Sequence, residues 1–192
     1  MNQSDQDKWD DIYRTGKEAE ARPARVLAEN GYLLPAAGTA LDAACGRGAN
    51  ALLLARSGLQ THAWDISPEA LKVIDVTAAR ENLDLITEQR DIVLQPPAAN
   101  SFDVIVVSRF LDRRIIDPLI AALRANGQIY YQTFIKDKRD AIGPNNPDYR
   151  LDTNELLRLF SALKIIFYRE EGTIGDVSKG FRNEAMLIGQ KC

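Results

Sequence analysis

Residues 39–56 contain, in order, a short apolar segment, a bend of small residues and a helix-forming run. The apolar segment includes Asp42, and the bend includes Gly46 and Gly48, which have no side chain to hold a ligand away from the backbone. The first N–H groups of the following helix have no partner inside it, so they can face such a ligand. This order favours a βαβ nucleotide-binding unit, and therefore a parallel sheet.

A second acid strengthens this interpretation. Asp65 follows the strand-like segment 60–64 and lies 23 positions after Asp42. Nucleotide-binding units of this kind place a carboxylate there, where it accepts hydrogen bonds from two ribose hydroxyls. We therefore expect a cofactor that contains a nucleoside.

Strand-like and helix-like segments alternate along the rest of the chain. With residues 39–43 as the first strand, the other expected strands are 60–64, 83–89, 102–108, 128–134, 165–168 and 185–188. Such alternation predicts a mostly parallel seven-stranded sheet with right-handed crossovers and helices on both faces. No helix separates the final two strands, so we expect the last strand to run antiparallel.

Capping residues and turn residues mark the helices. The expected helices are 23–30, 51–56, one beginning at Ser67 and Pro68, one running from 117 to Asn126 and Gly127, and one beginning at the capping-box-like residues 152–155. The connection 135–150 is too long for an ordinary link, so it is either functional or mobile.

The chain is expected to form one domain over residues 1–192. Its parts are an N-terminal lid or helix region at 1–35, a cofactor-binding core at 39–134 and a substrate-side region at 135–192. Residues 1–19 are charged, and we expect them to be irregular apart from a short helix with Trp9 and Tyr13 on one face. That helix is either a turn packed on the body or a lid over a ligand.

Composition limits the partners. The chain has 192 residues, a formal net charge of −3 and a pI near 5.3, which argues against binding to a nucleic-acid backbone. Arg109, Arg113 and Arg114 form a local basic group, and we expect the last two to be solvated.

Localisation and metal content follow from similar observations. The N-terminus is polar, and no apolar run approaches the roughly 18 residues that span a bilayer. Cys45 and Cys192 are expected to be reduced, and with His62 as the single histidine no zinc site is expected. These features predict a cytoplasmic protein without a membrane partner.

Two cofactor classes fit the bend. The pattern Gly46-x-Gly48-x-x-Ala51 satisfies a relaxed dinucleotide motif, which would indicate a nicotinamide oxidoreductase. The carboxylate of Asp42, just before the bend, is instead unfavourable for a pyrophosphate and favourable for an ammonium or a sulfonium. The chain's Tyr-x-x-x-Lys pattern precedes the nucleotide unit, which is the wrong order for a short-chain dehydrogenase.

Several motifs together resemble those of class I S-adenosylmethionine-dependent methyltransferases. Residues 41–50 are similar to the first motif of that family, 64–67 to the end of its second strand, 90–92 to its adenine-contacting segment and 102–105 to its fourth strand. Ala44 stands where the family often has glycine, and alanine is small enough for the cofactor to bind.

Within this superfamily, the chain resembles the bacterial tellurite-resistance-type methyltransferases. The residues that carry this narrower resemblance are Trp9-Asp10-x-x-Tyr13, Arg47-x-x-Asn50, Arg109-Phe110-Leu111 and 144–149. The resemblance implies a Rossmann-like class I methyltransferase fold, S-adenosylmethionine as the cofactor and S-adenosylhomocysteine as its product.

The resemblance also implies which residues bind the cofactor. They are Trp9, Asp42, Ala44, Gly46, Gly48, Asn50, Asp65, Ile66, Asp91, Ile92, Ser108 and Arg109. It implies that Asp65 binds the ribose, that Ile66 packs on the adenine face, and that Asp91 and the Ile92 N–H contact the adenine edge. Ser108 and Arg109 flank the methyl group in this interpretation.

Structural roles remain open for several of these residues. Asp42 can hold the bend through backbone N–H groups, Asp65 can cap a helix, and Asp91 can cap its own loop. We expect purely structural roles for Cys45, His62, Tyr130 and Tyr131.

The sequence identifies no catalytic residue, although Tyr13, Arg109 and Phe134 are candidates near the methyl group. No Asn-Pro-Pro-Tyr-type loop follows the fourth strand, so a nucleic-acid base is not the expected acceptor. The expected acceptor is a small molecule: a metabolite, a xenobiotic or a metalloid oxyanion. The alternative is a non-catalytic cofactor-binding or partner-binding module on the same fold.

Overall fold

The computed structural model describes residues 3–15 and 22–192, so residues 1–2 and 16–21 of the expected lid region lie outside the described residues. The strands are β1 (Thr39–Ala43), β2 (Gln60–Asp65), β3 (Leu85–Gln89), β4 (Phe102–Ser108), β5 (Leu123–Phe134), β6 (Lys164–Arg169) and β7 (Glu184–Gln190). The helices are α1 (Gln3–Thr15), α2 (Arg25–Ala28), α3 (Ala49–Arg56), α4 (Pro68–Glu81), α5 (Ile116–Ala122) and α6 (Glu155–Leu159).

The strands form one sheet in the order β3-β2-β1-β4-β5-β7-β6. Strand β1 pairs in parallel with β2 and β4, and the pairs β2–β3 and β4–β5 are also parallel. Strand β7 runs antiparallel to both β5 and β6. The predicted mostly parallel sheet with an antiparallel last strand is therefore confirmed. The strand order reverses between β1 and β4, and this reversal leaves a crevice at their carboxyl ends.

Helices cover both faces of the sheet because the buried strands carry apolar side chains on both sides. On one face, helices α2, α3 and α4 contribute Val26, Leu54 and Ile74 to the core. On the other face, α5 and α6 contribute Leu119 and Leu156. Each of these five side chains is fully buried.

The helix predicted to end at Asn126 and Gly127 ends earlier, so that expectation was wrong. Helix α5 ends at Ala122, and β5 begins at Leu123, which is fully buried and pairs with Phe102. The register then shifts before β4 pairs with the rest of β5, so Asn126 and Gly127 lie in an irregular part of a strand. The chain thus leaves the helix at Leu123, which is buried in the sheet, and Asn126 keeps a left-handed turn conformation, with a φ of 64°, inside β5.

The N-terminus also differs from expectation. Instead of an irregular segment with a short helix, residues Gln3–Thr15 form the continuous helix α1, which packs on α4. The helix expected from Pro23 is shorter than predicted, because α2 spans Arg25–Ala28 and a 3-10 helix follows at Gly31–Leu33.

The long connection 135–150 is held by hydrogen bonds that the sequence did not reveal. The Arg113 guanidinium donates to Glu155 Oε1 at 2.6 Å, to the Asp148 carbonyl at 2.7 Å and to the Arg150 carbonyl at 3.2 Å. The Arg113 side chain therefore holds this loop in place, contrary to the expectation that it is merely solvated. Arg114 follows the expectation, since its side chain is 72% exposed and pairs with Asp112.

Among residues 3–15 and 22–192, no helix combines the length and the apolar character that a transmembrane segment needs.

Candidate functional site

Five neighbouring strands place a polar side chain at the same edge of the sheet and on the same face. Strand alternation puts these side chains on the α2–α4 side, at the carboxyl ends of the parallel strands. We call them the polar row, which consists of Asp65 (β2), Asp42 (β1), Ser108 (β4), Gln132 (β5) and Glu184 (β7). Glu184 lies at this edge because β7 is antiparallel and begins there. Gln132 and Glu184 were not predicted; each is a polar residue at the end of an apolar run.

The bend after β1 adopts left-handed backbone conformations at several positions. Gly46 has a φ of 52° and Ala44 has a φ of 54°. Glycine tolerates this region, whereas alanine is strained there by about 1 kcal/mol. A glycine at position 44 would remove this strain, which gives a physical reason for the glycine that the resembled family often has.

The carboxylate of Asp65 is bonded to this bend. Its Oδ2 accepts from the Gly46 N–H at 2.8 Å, and its Oδ1 accepts from the Ser67 N–H at 2.9 Å. Burial raises the pKa of Asp65, and the two backbone hydrogen bonds oppose that rise. Each carboxylate oxygen can accept more than one hydrogen bond, so Asp65 still has acceptor capacity for the two hydroxyls of a diol.

Asp42 holds the start of α3. It is fully buried, and its Oδ2 accepts from the Ala51 N–H at 3.0 Å, while Asn50 Nδ2 donates to its Oδ1 at 3.4 Å. Burial raises the pKa of Asp42 to about 7, although these hydrogen bonds favour the charged form. The backbone-holding role that the sequence left open for Asp42 is present in the structure.

Asn50 connects the polar row to the segment before α2. Its Nδ2 donates to Ser108 Oγ at 3.0 Å, and its Oδ1 accepts from the Ala24 N–H at 2.8 Å. Gln132 makes a similar connection to this segment, because its Oε1 accepts from the Val26 N–H at 2.8 Å. The backbone of residues 24–26 therefore lies across the ends of β4 and β5.

Gly48 and Gly46 each leave room for a different neighbouring side chain. A Cβ on Gly48 would lie 2.4 Å from Ile74 Cδ1, so this glycine allows the bend to pack against α4. A Cβ on Gly46 would instead lie 2.8 Å from the hydroxyl oxygen of Tyr13. Gly46 therefore leaves space beside the bend that a group from outside the bend can fill.

Helix α1 covers that space. Tyr13 lies against Gly46 and stacks on Trp9 at a centroid distance of 5.9 Å. Arg47 Nη2 donates to the Tyr13 carbonyl at 2.9 Å, and the Ser67 hydroxyl donates to Asp10. Burial and the nearby Asp65 carboxylate raise the pKa of Tyr13, so its hydroxyl remains neutral.

The loop after β3 places the expected adenine-contacting residues in a compact turn. Asp91 Oδ1 accepts from the Val93 N–H at 2.9 Å, which is the loop-capping role that the sequence left open. Ile92 is buried, and the Ile66 carbonyl accepts from Gln89 Nε2 at 3.2 Å.

Arg109 follows directly after the polar row and has a φ of 55°, an unfavourable conformation for an arginine. Its N–H donates to the Gln132 carbonyl at 2.7 Å. Its Nε donates to Glu184 Oε1 at 3.0 Å, and Gln132 Nε2 donates to Glu184 Oε2. Phe134 lies beside this group and pairs in register with Glu184, while Gly143 of the 135–150 loop packs on its ring.

The remaining expected structural residues lie in the body of the protein. His62 makes an edge contact with Phe102, and Tyr130 and Tyr131 are fully buried. Cys45 is buried, and burial raises the pKa of its thiol. Within the part of the chain that the structure describes, no group of three or more His, Cys, Asp or Glu residues is arranged to hold a metal ion.

Comparison with known proteins supports the methyltransferase fold that the sequence motifs implied. Residues 40–127 match a family model described as "Methyltransferase domain", and a search of curated protein sequences found no match. The matched residues include β1 from its second residue, the bend, β2–β4 and the first part of β5.

Solved structures resemble nearly the whole chain. TehB from Haemophilus influenzae is 20% identical with a TM-score of 0.73, and the match covers 96% of this chain and 67% of that one. A structure concerned with the conversion of a disulfide bond into a thioacetal group during echinomycin biosynthesis is 22% identical with a TM-score of 0.72, covering 97% and 92%.

A third similar structure is the geranyl diphosphate C-methyltransferase from Streptomyces coelicolor A3(2), in complex with Mg²⁺, geranyl diphosphate and S-adenosyl-L-homocysteine. It is 13% identical with a TM-score of 0.68, covering 86% of this chain and 77% of that one. At these identities the likeness establishes the fold, which is the Rossmann-like fold of S-adenosylmethionine-dependent methyltransferases.

Proposed function

We propose that this chain, which has the class I methyltransferase fold, binds S-adenosylmethionine and transfers its methyl group in line to a small-molecule acceptor. The proposed acceptor is a metabolite, a xenobiotic or a metalloid oxyanion, and the proposed location is the cytoplasm. Residues 1–192 act as one domain in this proposal, with 39–134 as the cofactor-binding core and 135–192 on the substrate side.

One observation carries the proposal. The Asp65 carboxylate, at the tip of β2, lies within 2.8 Å of the Gly46 N–H in the bend after β1. An acid with the capacity to accept two hydroxyl hydrogen bonds and a bend that has no side chain at Gly46 therefore belong to a single site. The matched methyltransferase domain over 40–127 supports the same cofactor.

The residues divide into groups by the part of the cofactor that they would hold. Asp65 would bind the ribose hydroxyls, and Ile66 would pack on the adenine face. Asp91 would accept from the adenine amino group, and the Ile92 N–H would donate to a ring nitrogen. Ala44, Gly46 and Gly48 would form the backbone beside the methionine part. The buried carboxylate of Asp42 and the side chain of Asn50 would support that bend, and Ser108 and Arg109 would flank the methyl group.

When bound, S-adenosylmethionine supplies a methyl group on a cationic sulfur, which an acceptor lone pair takes while the electrons of the carbon–sulfur bond remain on sulfur. The protein's task is to align the acceptor and to exclude water, a proximity effect. In this proposal the aromatic side chains of Trp9, Tyr13 and Phe134 would exclude water. A soft anionic acceptor needs no base, so the chain needs no histidine there.

Calorimetry with S-adenosylhomocysteine tests the cofactor assignment. We expect the wild type to bind and Asp65→Ala to bind at least about tenfold more weakly, since the charge-assisted hydrogen bonds to ribose are lost. Equal affinities would contradict both the assignment of Asp65 to the site and the assignment of the cofactor.

A methyl-transfer screen with radiolabelled S-adenosylmethionine then tests the activity. NADH fluorescence enhancement would indicate a nicotinamide oxidoreductase instead, and we expect none.

The contact between Tyr13 and Gly46 favours a second function, a cofactor-binding or partner-binding module without catalysis. In this structure α1 covers the bend on which a ligand would lie. A module of this kind would bind S-adenosylhomocysteine and show no turnover with any acceptor in the screen. Detection of a methylated product with any one acceptor would contradict this second function.

A further inference from the structure

Arg109 presents an open hydrogen-bonding edge beside the polar row. Its side chain is 63% exposed, and one of its five N–H donors, on Nε, binds Glu184 Oε1 at 3.0 Å. The Nη1 and Nη2 groups donate no hydrogen bond to any residue that the structure describes. The four remaining donors therefore form a free planar fork, whose geometry matches the two oxygens of a carboxylate or of an oxyanion.

The position of this fork is set by the side chains of Glu184 and Gln132. The side chain of Glu184 is 8% exposed, and its second oxygen accepts from Gln132 Nε2. Gln132 is itself held by the Val26 N–H at 2.8 Å. A buried carboxylate with both oxygens occupied has little freedom, so it keeps the Nε edge of Arg109 in one place and leaves the Nη edge open.

The fork also lies at the right place for an acceptor. Arg109 follows Ser108, the last residue of β4, and β4 lies between β1, which leads into the bend, and β5. A cofactor bound along the bend would bring its sulfur to this crevice. The backbone strain at Arg109, with a φ of 55°, fits a residue held for function.

We propose that Arg109 selects acceptors that carry a negative charge, a carboxylate or a heteroatom oxyanion, and that Glu184 and Gln132 are positioning residues for its guanidinium. This inference rests on the proposed function, because it names the acceptor class of the same site. It assigns Arg109 to the acceptor and not to the cofactor.

The test compares acids with their amides in the S-adenosylhomocysteine complex. The probes are mercaptoacetate against mercaptoacetamide and salicylate against salicylamide, with dissociation constants from saturation-transfer NMR. We expect each acid to bind about tenfold more tightly than its amide, because a charge-assisted hydrogen bond accounts for about one such factor. Arg109→Gln should reduce the ratio to about one, and Arg109→Lys should retain part of it.

Glu184→Gln tests the positioning role. It keeps the shape of the side chain and removes the charge that holds Arg109 Nε, so the acid-to-amide ratio measured in the S-adenosylhomocysteine complex should fall. A merely structural role would lower the melting temperature without altering this ratio. If Glu184→Gln does not fold, Arg109→Gln alone decides the proposal. Arg114→Gln, a change at an exposed arginine nearby, is the matched control and should leave the ratio at its wild-type value.

The outcomes separate the two proposals. A wild type that does not bind S-adenosylhomocysteine contradicts the proposed function, and the acceptor inference fails with it. A wild type that binds S-adenosylhomocysteine but binds no acid more tightly than its amide overturns the acceptor inference alone. The same holds if Arg109→Gln leaves the ratio unchanged, or if it weakens S-adenosylhomocysteine more than tenfold, since Arg109 would then bind the cofactor.

Discussion

The carboxylate of Asp65 accepts a hydrogen bond from the backbone N–H of Gly46 at 2.8 Å. The last residue of β2 and the bend after β1 are thereby joined, although 18 other residues separate them in the chain. The same carboxylate also caps the turn before α4 through the Ser67 N–H at 2.9 Å. One acid thus orders both backbone segments that border the proposed ribose site.

Asp65→Asn should weaken S-adenosylhomocysteine binding less than Asp65→Ala does. The amide retains one acceptor oxygen for a backbone N–H or a ribose hydroxyl, whereas alanine has none. We expect a loss of about tenfold for asparagine, equivalent to one charge-assisted hydrogen bond, and a larger loss for alanine, both measured by calorimetry. Asp75→Asn, at an exposed position bonded to Thr87, is the control and should bind as the wild type does.

Tyr13→Ala should accelerate S-adenosylhomocysteine association severalfold. Tyr13 lies against the bend, so ligand entry along the bend requires its displacement, and a methyl group in its place removes that step. Stopped-flow tryptophan fluorescence measures the rate. Ile12→Ala lies on the same helix at a 42% exposed position and serves as the control. An unchanged association rate in Tyr13→Ala would show that α1 does not limit entry.

The stability difference between wild type and Asp42→Asn should depend on pH. Burial raises the pKa of Asp42 from 3.8 to about 7, so the folded state binds this proton more tightly than the unfolded state does. The contribution of Asp42 to stability therefore falls as the pH rises from about 4 to about 7, by at most about 4 kcal/mol. Urea unfolding of both proteins at pH 4, 5.5, 7 and 8 measures it. A difference that stays constant across this range contradicts the prediction.

Gly48→Ala should destabilise the protein more than Gly175→Ala does. The two glycines have φ values of 72° and 73°, so both substitutions introduce the same backbone strain, about 1 kcal/mol. A Cβ at position 48 would also overlap Ile74, which adds about 1–3 kcal/mol of overpacking, whereas a Cβ at position 175 meets nothing within 4 Å. Chemical denaturation gives both free energies of unfolding. Equal losses would mean that the packing of Ile74 adjusts without cost.

Arg113→Gln should loosen the 135–150 loop, and Arg114→Gln should not. Removal of the Arg113 guanidinium deprives the partly buried Glu155 and two loop carbonyls of their donor, at a cost of about 2 kcal/mol. Limited digestion with thermolysin, read by mass spectrometry, should show faster cleavage within 135–150. The adjacent Arg114 contacts Asp112 at the surface, so its substitution should leave the digestion pattern unchanged.

The sequence predicted the features that depend on local patterns. The order of strands and helices follows from hydrophobic periodicity, and Asp65 and the bend were recognised because residue type and spacing identify them. The polar row was recognised in part: Asp42, Asp65 and Ser108 lie beside motifs, whereas Gln132 and Glu184 lie in no motif. The end of α5 was missed, because the burial of Leu123 against Phe102 depends on a contact across the sheet.

By itself, therefore, the sequence determined the fold class and the edge of the sheet at which the cofactor site is proposed, since the first follows from the alternation of elements and the second from glycines and acids at fixed spacing. The tertiary structure alone decided that Gly48 faces Ile74, that Tyr13 covers Gly46, and that Glu184 accepts a hydrogen bond from Arg109. These relationships join residues far apart in the chain. Their energies come from burial and hydrogen bonding between elements, which local composition does not encode.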